Sequence, residues 1–181
     1  GTSDATLLDG FTIALGHAYG SDEATSHGGG IYLTDSRMQI VSCTFLDNHS
    51  SSHGGGLFCL RGAPAITDCV FQGNTAGWRG GGGAYVESSS PTFTGCTFSQ
   101  NEDLSLGGGG LHCRLGSPTL VRCFFSGNVA GNENWFARDG GGGGMYCDAS
   151  SPHLVSCVFS SNSSYNNFGG EAGVQADEYN P

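Results

Sequence analysis

The most constraining feature of this chain is a segment that recurs five times: a glycine run, an apolar triplet and then Cys-x-Phe-x-x-Asn. The cysteines of the five copies are Cys43, Cys69, Cys96, Cys123 and Cys157, so successive copies are 26, 27, 27 and 34 residues apart. A nearly fixed period of this length is typical of stacked structural repeats, in which each unit buries its apolar side against its neighbours. We therefore expect a solenoid.

The composition of each unit predicts strands. Each copy contains two short apolar runs rich in β-branched and aromatic residues, which are too short for helices. No apolar stretch has a helical period, and we find no usable helix cap. A unit of about 27 residues forms one closed coil of three short strands and rises about 4.8 Å, the spacing of parallel strands. The prediction is an all-β parallel β-helix of about five full coils, with partial coils at both ends.

Equivalent positions of the repeat predict columns of inward-facing side chains, because they meet one above the other in stacked coils. A phenylalanine column comprises Phe45, Phe71, Phe98, Phe125 and Phe159. Further inward columns begin at Ile31, Leu33 and Ile40. Leu8, Phe11 and Ile13 fit the same columns, so we expect a partial coil before the first full one.

An asparagine follows each of these phenylalanines by three residues, at Asn48, Asn74, Asn101, Asn128 and Asn162. Stacked amides can donate to one coil and accept from the next, and such a ladder satisfies the polar groups of a turn. Asn48 and Asn162 also begin Asn-x-Ser sequons. The two interpretations compete, and we favour the ladder because the other three copies hold the same position without a sequon.

Eight cysteines raise the question of disulfides. The columns do not permit complete pairing of neighbours, so we favour free cysteines buried as small hydrophobic residues. Bridges within single coils (Cys59–Cys69, Cys113–Cys123, Cys147–Cys157) are the alternative left open. The core cysteines are Cys43, Cys59, Cys69, Cys96, Cys113, Cys123, Cys147 and Cys157.

The glycine runs could suggest a phosphate-binding loop. A phosphate loop needs a following helix and a lysine, but these runs precede strands and the chain contains no lysine. We interpret them as tight corners with unusual backbone angles.

The segments GGGIY, GGGLF and GGGAY, followed by Phe-x-x-Asn, resemble the repeats of the chlamydial polymorphic outer-membrane proteins and of right-handed β-helix proteins of the pectate-lyase-like superfamily. The opening segment Leu8–Ile13 looks like the usual lead-in of such domains, and the resemblance covers roughly residues 5–173. It implies a right-handed, secreted or surface-displayed β-helix, often adhesive or carbohydrate-handling. It does not imply one activity, since this fold hosts many.

Charge and length limit the partners and the domain organisation. The net charge is −10, and no basic stripe is present, which argues against nucleic acid and anionic membranes as partners. No signal peptide or transmembrane run is found. We assign residues 1–173 to one repeat domain and 174–181 to a polar acidic tail or the start of an unfinished coil. Uncapped ends suggest a segment of a longer solenoid or end-to-end self-association.

Two surfaces are candidates for binding. The loops that follow the asparagines vary in length and lie on one edge, and a binding edge or local packing explains their aromatic and basic residues equally well. These residues are Trp78, Arg79, Trp135, Phe136, Arg138 and Tyr165. An outward aromatic column is expected to form an exposed ribbon, which suits lateral contacts, glycans or simply strand propensity. It comprises Tyr32, Phe58, Tyr85, His112 and Tyr146.

Catalytic and metal-binding patterns are weak. Carrying over the catalytic residues of pectate-lyase-like enzymes fails, since there is no lysine and no column of carboxylates. His27 and His53 are expected to stack on adjacent coils near His49, but we predict no metal and no cofactor. The sequence therefore favours an extracellular or cell-surface structural and adhesive module over an enzyme, one that stacks end to end into a fibre or forms part of a longer solenoid. Its expected partners are other copies or neighbouring solenoid segments, and glycans or cell-surface proteins. The alternative is a carbohydrate-binding or carbohydrate-active β-helix that uses the edge around Trp78 and Trp135.

Overall fold

The chain winds into stacked coils whose strands form four parallel sheets. In the computed structural model, residues 6–78, 80–105, 107–131, 141–165 and 174–177 are described. We number the strands in chain order and name the sheets A to D in the order in which each coil visits them.

Within the described ranges, each sheet contains six strands. Sheet A contains β1 (Leu7–Asp9), β5 (Gln39–Val41), β9 (Ala65–Thr67), β13 (Thr92–Thr94), β17 (Thr119–Val121) and β21 (His153–Val155). Sheet B contains β2 (Thr12–Ala14), β6 (Thr44–Leu46), β10 (Val70–Gln72), β14 (Thr97–Ser99), β18 (Phe124–Ser126) and β22 (Val158–Ser160). Sheet C contains β3 (His17–Ala18), β7 (His49–Ser50), β11 (Thr75–Ala76), β15 (Glu102–Asp103), β19 (Val129–Ala130) and β23 (Ser163–Ser164). Sheet D contains β4 (Ile31–Thr34), β8 (Leu57–Leu60), β12 (Ala84–Glu87), β16 (Leu111–Arg114), β20 (Met145–Asp148) and β24 (Val174–Asp177).

A coil contains four strands, so the expectation of three was wrong. The strand missed from sequence is the two-residue strand of sheet C, which is too short to give a periodic signal. The chain bends between sheets A and B, and again between B and C, at single residues in the left-handed region. In one coil these are Asp68 (φ 51°) and Gly73 (φ 64°), and in another Arg122 (φ 51°) and Gly127 (φ 61°).

The predicted columns are confirmed by the strand register. Phe71 pairs with Phe45 on one side and Phe98 on the other, and the rings are stacked with centroids 4.5 and 4.7 Å apart. The stack continues through Phe125 to Phe159 at 4.6 and 4.5 Å. In the first, partial coil Leu8 and Ile13 pack against the core, but Phe11 is 57% exposed, contrary to expectation. Only one neighbouring coil borders Phe11 among the described residues.

The asparagine ladder is present and lies inside the coil. Asn74 Nδ2 donates to Asn101 Oδ1 and to the Phe45 carbonyl oxygen, both at 2.9 Å, while Asn74 Oδ1 accepts from Asn48 N and Nδ2. The ladder extends to Asn162, and at its start Gly16 N donates to Asn48 Oδ1. Asn48 and Asn162 are 1% and 3% exposed, so their amides are committed to the ladder rather than available to a glycan.

The glycine runs have two roles: some glycines adopt backbone angles that other residues disfavour, and others let successive coils approach closely. Gly28 and Gly54, the first glycines of their runs, have positive φ, as the corner interpretation expects. The last glycines of these runs have no positive φ: a Cβ on Gly56 or Gly83 would lie 2.5 Å from a carbonyl oxygen of the next coil. The corner interpretation was therefore incomplete. The later glycines are required because the backbones of successive coils approach so closely that a side chain would not fit.

The eight cysteines are free thiols. Seven are buried, and Cys157 is partly buried. Cys69 Sγ lies 3.2 Å from the Thr67 carbonyl oxygen and 3.6 Å from that of Ile40, so the thiol donates within and between coils. The interpretation of these residues as core hydrophobes agrees with this arrangement, and no bridge within a coil is formed.

One short helix, α1 (Glu23–Ser26), interrupts the strands, although we expected none. Asp22 is its N-cap and accepts from Thr25 N at 2.9 Å. In the part of the chain that the structure describes, no helix has the length and apolarity needed to cross a membrane. At the other end β24 pairs with β20 in parallel and extends sheet D into the segment that we assigned to a tail or an unfinished coil.

Candidate functional site

The outward aromatic column on sheet D is in register, as predicted, but it does not form an exposed ribbon. Tyr32, Phe58, Tyr85, His112 and Tyr146 pair in sequence along β4, β8, β12, β16 and β20. Phe58 is 0% exposed, Tyr85 1% and His112 6%. The prediction of an exposed stripe was therefore wrong, because chain segments lie over the outer face of the sheet.

Histidines and glycines that precede the strands of sheet D form this cover. His27 lies edge-on to Phe58, with centroids 4.7 Å apart, and His53 lies edge-on to Tyr85 at 4.5 Å. At Gly107 a Cβ would lie 2.5 Å from His112 Nδ1, so only glycine lets the backbone rest on this ring. The loops thus bury the column that the strands present outward.

The aromatic column changes its geometry at His112, and a cleft opens there. Phe58 and Tyr85 are nearly parallel, with an interplanar angle of 6°. The angle rises to 56° between Tyr85 and His112 and to 87° between His112 and Tyr146. The resulting cavity has a volume of about 240 Å³ and is lined by His53, Tyr85, Gly107, His112, Arg114, Tyr146 and Asp148.

A column of alternating charge borders the cleft, and two of its residues, Arg114 and Asp148, line the cavity. Glu87, Arg114 and Asp148 end strands β12, β16 and β20 and are direct partners in the register. Arg114 Nη1 contacts Glu87 Oε1 at 2.8 Å, and its Nε contacts Asp148 Oδ2 at 3.2 Å. We did not identify these residues from sequence. Their signal was available, since charged residues follow the aromatic position by two in three consecutive repeats.

Buried polar groups hold the cleft in shape. Burial, followed by the charge of Glu87, raises the pKa of Tyr85 well above its ordinary value, so its hydroxyl stays protonated. Asp103 is fully buried and accepts hydrogen bonds from Ser105 N, Ser105 Oγ and Gly107 N. This carboxylate anchors the loop that brings Gly107 against His112. Burial raises the pKa of Asp103 to about 6 despite these hydrogen bonds.

The comparison with known families agrees with the strand topology. A family model described as "Right handed beta helix region" matches residues 20–178, which is most of the chain. The chain belongs to the right-handed β-helix family. No curated protein and no solved structure matches the chain significantly. The finer resemblance to chlamydial outer-membrane proteins stays a prediction, because the matched model describes the general family.

In this β-helix the two described residues of the predicted loop edge, Trp78 and Tyr165, lie outside the cleft. Trp78 and Tyr165 are 49% and 55% exposed, and neither lines the cavity. They follow β11 and β23, which are three coils apart in sheet C, or about 14 Å along the axis. The structure therefore does not bring these two residues together. The other residues of the predicted edge (Arg79, Trp135, Phe136 and Arg138) lie outside the described residues.

Four of the six histidines of this β-helix form two groups. His27 and His53 stack on adjacent coils as predicted, with His27 Nε2 2.7 Å from His53 Nδ1. His49 does not join them and instead stacks with His17 and Tyr19. Burial and the nearby His17 lower the pKa of His49. Over the described ranges, no group of three or more His, Cys, Asp or Glu residues is arranged to hold a metal ion.

Proposed function

We propose that this β-helix is an extracellular or cell-surface adhesive module that binds a saccharide in the cleft on sheet D. The observation that carries the proposal is the convergence of buried aromatic rings with the Arg114–Asp148 ion pair at one cavity, where Glu87 holds Arg114 from the neighbouring coil. Ligand sites are typically concave and largely apolar, with a few polar groups that fix orientation. A saccharide suits this combination, because it has apolar ring faces and many hydroxyl groups.

The chemistry of each wall supports this assignment. Tyr146 is partly exposed and presents an aromatic surface with a polar tip, which suits the face and edge of a sugar ring. Asp148 is also partly exposed, so its carboxylate can accept hydrogen bonds from ligand hydroxyls. Because each side chain is fixed by pairing in a parallel sheet, the walls are already in place before a ligand binds.

The rigid interior supports an adhesive role. The phenylalanine stack and the asparagine ladder run through every full coil: the stack removes apolar rings from water, and the ladder supplies hydrogen-bond partners to buried polar groups. Such a module holds its outer surface in a fixed shape. The net charge of −10 and the lack of lysine favour uncharged surface ligands over nucleic acid or anionic membranes.

A glycan array followed by calorimetry on the hits tests the proposal. We expect Tyr146→Ala to weaken saccharide binding at least about tenfold, in line with the loss of a central aromatic contact. Tyr19→Ala is the matched control, since it removes an exposed tyrosine that belongs neither to the cavity nor to the loop edge. If Trp78→Ala abolishes binding and Tyr146→Ala does not, the loop edge is the binding site instead. No binding to any glycan by the folded chain would refute the saccharide function.

A further inference from the structure

We infer that the cleft on sheet D selects uncharged sugar residues and rejects uronates, an inference that rests on the saccharide-binding function proposed above. The reason is the charge of the column that borders the cleft, in which Arg114 and Asp148 line the cavity and Glu87 pairs with Arg114 from the neighbouring coil. Two carboxylates, Glu87 and Asp148, flank the single guanidinium of Arg114. The column therefore has an excess of one negative charge, although it contains the residue type that usually recognises carboxylates.

Two of the three guanidinium nitrogens of Arg114 already donate to carboxylates of the protein, which leaves no pair of neighbouring nitrogens unused for a uronate. A ligand carboxylate binds arginine best through two parallel hydrogen bonds from neighbouring nitrogens. Here Nε donates to Asp148 Oδ2 and Nη1 donates to Glu87 Oε1. A uronate would have to displace Asp148 and then lie beside it, and the two like charges would repel.

An uncharged sugar avoids this penalty. Its hydroxyls can donate to Asp148 without breaking the bond between Asp148 and Arg114, because each carboxylate oxygen accepts more than one hydrogen bond. Its ring face can pack on Tyr146, whose side chain is partly exposed. The cavity of about 240 Å³ lies below the roughly 300–1,000 Å³ of sites for drug-sized ligands. The enclosed part of the ligand is therefore one sugar ring rather than a chain.

The test compares matched pairs of ligands that differ only at C6. Oligomers of glucose or galactose are measured by calorimetry beside oligomers of glucuronate or galacturonate with the same linkage, at pH 8, where imidazoles as a class are uncharged. We expect the neutral member of the recognised pair to bind at least about tenfold more tightly at low salt. The ratio should shrink as salt screens the charges.

A charge variant provides the second measurement. Asp148→Asn removes the excess negative charge, so we expect the preference for the neutral ligand to fall at least about threefold, chiefly through tighter uronate binding. Asp35→Asn is the matched control, because Asp35 also pairs with an arginine, Arg61, but lies outside the cavity. The control should leave the ratio unchanged.

The outcomes separate the inference from the function on which it rests. Uronate binding as tight as neutral binding overturns the inference and leaves the saccharide function intact. A ratio of neutral-ligand to uronate affinity that stays the same in Asp148→Asn also overturns the inference and leaves the saccharide function intact. Failure of both members of every pair to bind, by a chain whose circular dichroism shows it folded, overturns the proposed function itself.

Discussion

Asn74 donates from its side-chain amide to Oδ1 of Asn101, 27 residues later, at 2.9 Å, and the same oxygen accepts from the Asn74 backbone N at 3.0 Å. One asparagine thus satisfies both the side chain and the main chain of the coil before it. This relationship is repeated between Asn101 and Asn128, so each interior rung depends on two neighbours.

Removal of an interior rung should destabilise the whole stack. Asn101→Ala eliminates the two bonds that Asn101 Oδ1 accepts and the bonds that Nδ2 donates to Phe71 O and Asn128 Oδ1. Because the orphaned groups are buried, we expect the free energy of unfolding to fall by about 3–5 kcal/mol. Urea unfolding followed by circular dichroism measures it. Gln72→Ala, an exposed change in the previous coil, should alter it by less than about 0.5 kcal/mol.

Two adjacent phenylalanines on β18 offer an internal comparison. Phe125 is 0% exposed and stacks between Phe98 and Phe159, whereas Phe124 is 40% exposed on the opposite face. Phe125→Ala should cost about 3–5 kcal/mol, because it leaves a cavity in the stack. Phe124→Ala should cost less than about 1 kcal/mol. Equal losses of unfolding free energy in the two variants, measured by thermal or urea unfolding, would contradict the assignment of Phe125 to the core and Phe124 to the surface.

Asp103 should make stability depend on pH. Its pKa is raised from 3.8 to about 6 in the folded state, mainly by burial, so between these values the folded chain binds more protons than the unfolded chain. This contribution is fully present below about pH 4 and is lost as pH rises to about 6. The shift corresponds to about 3 kcal/mol.

The measurement is the difference between parent and Asp103→Asn in unfolding free energy from pH 4 to pH 7. We expect the fall with rising pH to be smaller in the variant. Asp68→Asn, which removes an exposed carboxylate, should keep the profile of the parent in this range. Parallel profiles for the parent and Asp103→Asn would show that Asp103 is not the responsible group.

The thiols should differ sharply in reactivity. Seven cysteines are buried, whereas Cys157 is partly exposed, so a thiol reagent should modify about one cysteine per folded chain at early times. Mass spectrometry of the labelled peptides should identify Cys157, and Cys157→Ser should remove the early phase. Denaturation should release the other seven. Rapid labelling of Cys96 in the folded chain would contradict the closed core.

The sequence by itself determined the period, and with it the fold and the interior. Side chains at equivalent positions meet when coils stack, so Phe98 had to meet Phe125 and Asn74 had to meet Asn101 once the chain was a parallel solenoid. The same register placed Tyr85 beside His112. These outcomes depend on repetition alone, which is visible in the residues.

Only the tertiary structure decided what covers the outer face of sheet D. Phe58 occupies an outward position and is nevertheless fully buried, because His27 and His53 fold over it from segments that vary in length. The cleft at His112 depends on the path of the Gly107 segment, which Asp103 anchors from inside the coil. Loop paths follow from packing between segments that do not repeat, so no period in the sequence could predict them.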